Sequence, residues 1–163
     1  MTGKTWATAI FLLLSVCLCR PVLAQDKASC LPDARLTPGV AGEVTAADIC
    51  KPDYDNLAGK IPIELKERVF IRYGINRYEV GYNVDHLIPA KLGGSNALKN
   101  LWPQPLFGEW GWQRKNKLEH RLRKLVCSGR LTLKEAQREI AADWISAYRK
   151  YLGGPRQAQS YQP

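Results

Sequence analysis

The chain has only two histidines among its 163 residues, so any chemistry that runs on imidazole rests on His86 or His120. No two cysteines form a Cys-x-x-Cys pair, which argues against a zinc knuckle. The uncharged run between Lys4 and Arg20 is fifteen residues, short of the roughly 20 a membrane-spanning helix needs. Acids are also scarce, with 15 Asp and Glu against 24 Lys and Arg. Internal repeats are absent, and the length suits one domain.

The N-terminal order is a basic residue, an apolar core, then Val22-Leu23-Ala24 before Gln25. That order predicts a secretory signal peptide over residues 1–24. Its removal takes away Lys4 and Arg20, leaving 24 − 2 = 22 basic and 15 acidic residues, a net of +7. Such an excess suits anionic partners such as nucleic acid or an envelope polymer, although it also serves plain solubility. Cys30, Cys50 and Cys127 remain, and an exported protein can oxidise them. One bridge and three pairings are open. Cys30–Cys50 is the expected one, because it closes a Pro/Gly-rich segment with little apolar content.

Along the chain, residues 25–60 predict an irregular wrap with one short helical turn over 45–50. Apolar spacing at Ile61, Leu65, Val69 and Tyr73, widened by Phe70, predicts a helix over 61–73 stopped by Gly74. Residues 78–84 read as a strand running into Asp85-His86. Residues 97–102 read as a second strand ending against Pro103. A loop over 103–112 carries Phe107, Trp110 and Trp112, too close together all to face solvent. Residues 113–127 are helical, with Leu118, Leu122, Leu125 and Val126 on one face and Arg114, Lys117, Arg121 and Lys124 on another. A capping box at Thr132 and Glu135 opens a last helix, which Gly153 ends. The expected class is α+β: a mostly helical domain over 61–152, built around a hairpin plus helix, followed by a disordered tail over 153–163.

The chemistry gathers in YNVDHLIPAKLGGSNALKNLWPQP, residues 82–105. A hairpin with a helix packed across it can bring Asp85 close to Asn116 in the helix's first turn. A carboxylate and an amide oxygen suit Mg²⁺ held with waters and phosphate oxygens. His86 points to the other side of its strand and is available to take a proton from water.

The sequence DH…GG…N followed by a helix bearing Asn resembles the HNH endonucleases, the ββα-metal nucleases. The wider pattern over 73–144 resembles small exported bacterial proteins with an HNH domain. The resemblance implies a phosphodiester hydrolase with His86 as general base. Asp85 and Asn116 would hold one divalent cation, Mg²⁺ first, with Mn²⁺, Ni²⁺ or Zn²⁺ as other candidates. Asn100 would tie the strands together and hold the catalytic loop. The sequence departs from the pattern in two ways: Asn stands at the helical ligand position in place of His, and 104–113 looks inserted. Glu119 or His120, one turn on, are therefore substitute ligands for Asn116.

Each residue also has a plainer role. An Asp-His pair is often a surface feature, Asn100 a turn residue, and the Arg/Lys face a solvated one. In a nuclease that face would contact phosphates without reading sequence. The expected activity is cleavage of DNA, or of RNA, with low specificity, by a secreted or periplasmic monomer. The alternative is an inactive HNH scaffold that binds nucleic acid or an anionic envelope polymer. A structural envelope protein is the third reading.

Overall fold

The computed structural model describes residues 30–54, 60–76 and 81–154. The expected signal peptide, the tail from residue 155 and the start of the expected first strand lie outside these residues. Among them the chain is α+β, about half helical, with four helices and one two-stranded sheet. The order is α1 (Ala46–Ile49), α2 (Ile63–Tyr73), β1 (Tyr82–His86), β2 (Leu101–Pro105), α3 (Trp112–Cys127) and α4 (Leu133–Leu152). Two 3₁₀ turns, Ala90–Leu92 and Leu98–Asn100, lie between the strands. No helix among the described residues is long and apolar enough to cross a membrane.

The helices form for the local reasons the spacing suggests. Helix α2 ends on Gly74 at φ 65°, a left-handed position where a side chain is strained. Pro62 caps its other end from just outside, one place earlier than a first-turn proline. Thr132 accepts from the Glu135 backbone N–H, and the Glu135 carboxylate accepts from the Thr132 backbone, so both sides of the capping box are made. Within α4 the backbone of Asp143 leaves the helical region, with φ −162° and ψ 95°. Its carboxylate then accepts from the Ile145 and Ser146 N–H groups, so Asp143 acts as the N-cap of the helix's second half.

The hairpin differs from expectation. The second strand runs over Leu101–Pro105, and residues 98–100 form a 3₁₀ turn instead. Asp85 faces Trp102, and Val84 faces Pro103. The bonds from Leu87 N to Asn100 O and from Leu106 N to Gly81 O bracket the ladder. Antiparallel pairs alternate between bonded and non-bonded, so Pro103 and Pro105 fall at non-bonded pairs with their nitrogens turned outward. Proline therefore costs this two-stranded sheet no hydrogen bond, which is why the strand does not stop where the sequence suggests.

Two apolar clusters hold the hairpin. On one side Val69 of α2 meets Val84 and Leu101. On the other a larger core joins Leu87, Leu92 and Trp102 to Leu118 and Leu122 of α3 and to Ile140 and Trp144 of α4. Trp144 is fully buried and its Nε1 donates to the Cys30 carbonyl at 2.9 Å. Of the three aromatic residues expected not all to face solvent, Trp110 is the buried one, edge-on to Trp144 and Tyr148. Phe107 and Trp112 are exposed.

The disulfide joins Cys50 to Cys127, with a Cα–Cα distance of 5.6 Å, and corrects the expected Cys30–Cys50 pair. Cys50 caps the end of α1, which packs on α3, so the last residue of α3 comes within reach. Cys30 is instead drawn into the core beside Trp144. A bridge across 77 residues constrains the unfolded chain strongly. The double variant Cys50→Ser/Cys127→Ser should lose about 2–4 kcal/mol, read as a lower denaturant midpoint with a steeper slope, because the freed unfolded chain exposes more surface.

Candidate functional site

The loop between the strands is held from three sides. Asn100, fully buried, donates through Nδ2 to Ile88 O at 3.0 Å and to Ser95 O at 2.9 Å. Its Oδ1 accepts from Ile88 N at 3.0 Å and from Val40 N at 3.2 Å. The irregular N-terminal segment lies along the same loop, with Gly42 N donating to Gly93 O and Ser95 N to Val40 O. Gly94 passes so close to Ile88 that a Cβ there would sit 1.7 Å from the Ile88 carbonyl oxygen. The Gly-Gly of the sequence motif is thus a matter of space at Gly94 and of a left-handed backbone at Gly93, φ 76°.

Alternation along β1 sends Asp85 and His86 to opposite faces. Asp85 faces α3 across a cleft of about 540 Å³, whose walls also include Asn83, Gln104, Trp112, Asn116 and Glu119. The fold therefore brings Asp85 and Asn116 to one cavity, although 31 positions separate them. The imidazole of His86 is not part of that wall. It is buried on the other face, with Nε2 at 2.7 Å from Asn96 Oδ1. An amide oxygen only accepts, so Nε2 carries the proton and the lone pair is on Nδ1.

The centre of the site is a residue that the sequence motif does not single out. Lys115 has no exposed surface, and its Nζ donates to Asp85 Oδ2 at 2.7 Å, Glu119 Oε1 at 2.7 Å and His86 O at 2.6 Å. Burial alone would push the ammonium's pKa down, but Asp85 and then Glu119 outweigh it and hold it above the ordinary lysine value. A second ammonium, Lys91, donates to Asn116 Oδ1 at 3.0 Å and to His120 Nε2 at 3.1 Å. It lies 4.0 Å from Glu119 Oε2. Only the Lys115–Glu119 spacing of four, a helical ion pair, hinted at this in sequence. The hairpin's contribution is tertiary.

The donor set does not fit the expected divalent metal. Among the described residues no group of three or more His, Cys, Asp or Glu side chains could hold one. Asp85, Asn116 and Glu119 each already receive an ammonium proton. At an effective dielectric of about 20, a dication roughly 4 Å from one such ammonium is repelled by about 8 kcal/mol, twice the unit-charge figure.

The basic residues Arg114, Lys117, Arg121 and Lys124 share a face of α3, but not the face that lines the cleft. At 100° per residue they lie roughly 80–160° around the helix from Asn116. Arg114 is engaged in the fold: it donates to the Glu109 carbonyl, and its guanidinium stands 5.5 Å from the Trp110 ring. Arg114 and Lys117 border a separate depression of about 320 Å³ formed with Phe107 and Glu109.

Searches against protein-family models, characterised proteins and solved structures gave no match for this chain.

Proposed function

We propose that the protein is an exported endonuclease of HNH type, hydrolysing phosphodiester bonds of nucleic acid, DNA first, with low sequence specificity. The observation that supports this reading is the placement of Asp85 and Asn116 on one cleft, beneath a loop pinned by Asn100. In this reading the phosphodiester lies over the end of β1, where the strand's two faces give way to the loop. His86 accepts on Nδ1 the proton of the water whose oxygen bonds to phosphorus as the bond to the leaving oxygen breaks. The leaving oxygen takes a proton from solvent water, and Asn96 holds the imidazole by its other nitrogen. Lys91, part of the cleft wall, meets a phosphate oxygen. The basic face of α3 contacts phosphates further along the strand. Asp85, Asn116 and Glu119 already receive ammonium protons, so in this reading they hold no metal.

Plasmid nicking tests the proposal. Wild type should convert supercoiled DNA to open circles. His86→Ala should nick at least about 100-fold more slowly while keeping the wild-type circular dichroism spectrum, with a lower melting temperature because a buried, hydrogen-bonded imidazole is lost. Equal rates for the two proteins would remove His86 from the chemistry. One observation favours a second reading, a non-catalytic module that binds nucleic acid or an anionic polymer: the His86 imidazole is buried away from the cleft. In that case binding weakens with salt and no preparation cleaves.

A further inference from the structure

An ammonium has three protons to donate, and Lys115 places all three on oxygens of the cleft's inner end. Those oxygens, two carboxylates and a backbone carbonyl, are hard donors of the kind Mg²⁺ takes. Asn116 Oδ1 is a fourth oxygen of that kind, and Lys91 holds it. Glu119 links the two lysines, with Oε1 on Lys115 and Oε2 toward Lys91. We propose that Lys115 and Lys91 take the place of a divalent metal at this site, so that the cleft carries its two positive charges covalently and receives a phosphodiester without a bound dication.

The two lysines have different tasks. Lys115 has no surface and cannot touch substrate; it is a positioning residue that fixes Asp85, Glu119 and the end of β1 relative to α3. Lys91 lines the cleft, and its side chain keeps 23% of its surface exposed, so it is the ammonium a phosphate oxygen can reach. Two lysines against two carboxylates leave the empty cleft neutral, the same balance a dication would produce with Asp85 and Glu119 alone. Adding a dication to the present set would leave two positive charges uncompensated beside two ammoniums. The inference concerns the cleft of the preceding section and rests on that reading only for its effect on cleavage.

Calorimetric titration with Mg²⁺ and Mn²⁺ tests it, together with melting temperatures in metal and in EDTA. Wild type should show no stoichiometric heat and the same melting temperature in both. Lys115→Met leaves Asp85 and Glu119 with no cation between them and only Lys91 beside Glu119, and should gain a melting temperature that rises with metal. If that variant folds only when metal is present, the result is the same. The charge-neutral set Asp85→Asn, Lys115→Met and Glu119→Gln should fold without metal and ignore it. One dication bound by wild type, raising its melting temperature and lost in Asp85→Asn, overturns the inference, as does a Lys115→Met protein that never responds to metal. Nicking that persists in EDTA and falls about 100-fold in Lys91→Met supports the lysines. Nicking that stops in EDTA counts against them and leaves the nuclease reading standing. Absence of nicking under every condition removes the nuclease reading alone, because the titration still decides the lysines.

Discussion

Asn100→Ala should cost about 3–5 kcal/mol of stability, because it strips four hydrogen bonds from a fully buried side chain. A lost hydrogen bond by itself is worth only about 1 kcal/mol. The larger cost comes from what remains. Ile88 N and Ile88 O are buried, and alanine leaves both without the partner they have now. Asn100→Asp provides the sharper comparison. It keeps an oxygen for the Ile88 and Val40 N–H groups but puts a second oxygen where Nδ2 now donates to Ile88 O and Ser95 O. Three oxygens without a proton repel, so this isosteric change should also destabilise at neutral pH. Protonation of the new carboxyl restores one donor, so part of the loss should return as pH falls. Urea melts at neutral and acid pH read both effects. An Asn100→Asp protein as stable as wild type at neutral pH would mean that the amide's donor side contributes nothing.

Gly94→Ala should be comparably severe, at about 3 kcal/mol or more, the upper end of what overpacking costs. The added carbon would fall 1.7 Å from Ile88 O, 2.6 Å from Ile88 C and 2.9 Å from Asn100 Nδ2. Two of those atoms are backbone, held by Asn100, so no side chain can swing aside to make room. The loop can accept the methyl only by giving up the Asn100 bonds. Gly154→Ala serves as the control, since nothing stands within 4 Å of its Cβ position. Thermal melts should separate the two variants by roughly 6–12 °C, since a domain of this size loses about 2–4 °C per kcal/mol. Coincident melts would show that the loop is looser than its hydrogen bonds imply.

Much of the architecture was legible in local sequence. The α2 stripe, the Gly74 stop, the Thr132–Glu135 box and the apolar face of α3 depend on neighbours three or four places apart, and such spacing survives in one dimension. That Asp85 and Asn116 share a cleft was expected from the order strand, loop, strand, helix, and not from local spacing. Proline and cysteine misled for a common reason. Whether Pro103 ends a strand depends on which side of the ladder its nitrogen faces. Whether Cys50 meets Cys30 or Cys127 depends on where α1 packs.

The sequence by itself determined the helices and the acid-imidazole pair on opposite faces of one strand. Tertiary structure alone decided what Asp85 faces. Ion pairing acts through space, and only the packing of α3 across the hairpin carries the Lys115 ammonium to within 2.7 Å of a carboxylate 30 positions earlier. The cleft that reads in sequence as a place for a metal is thereby built around a lysine.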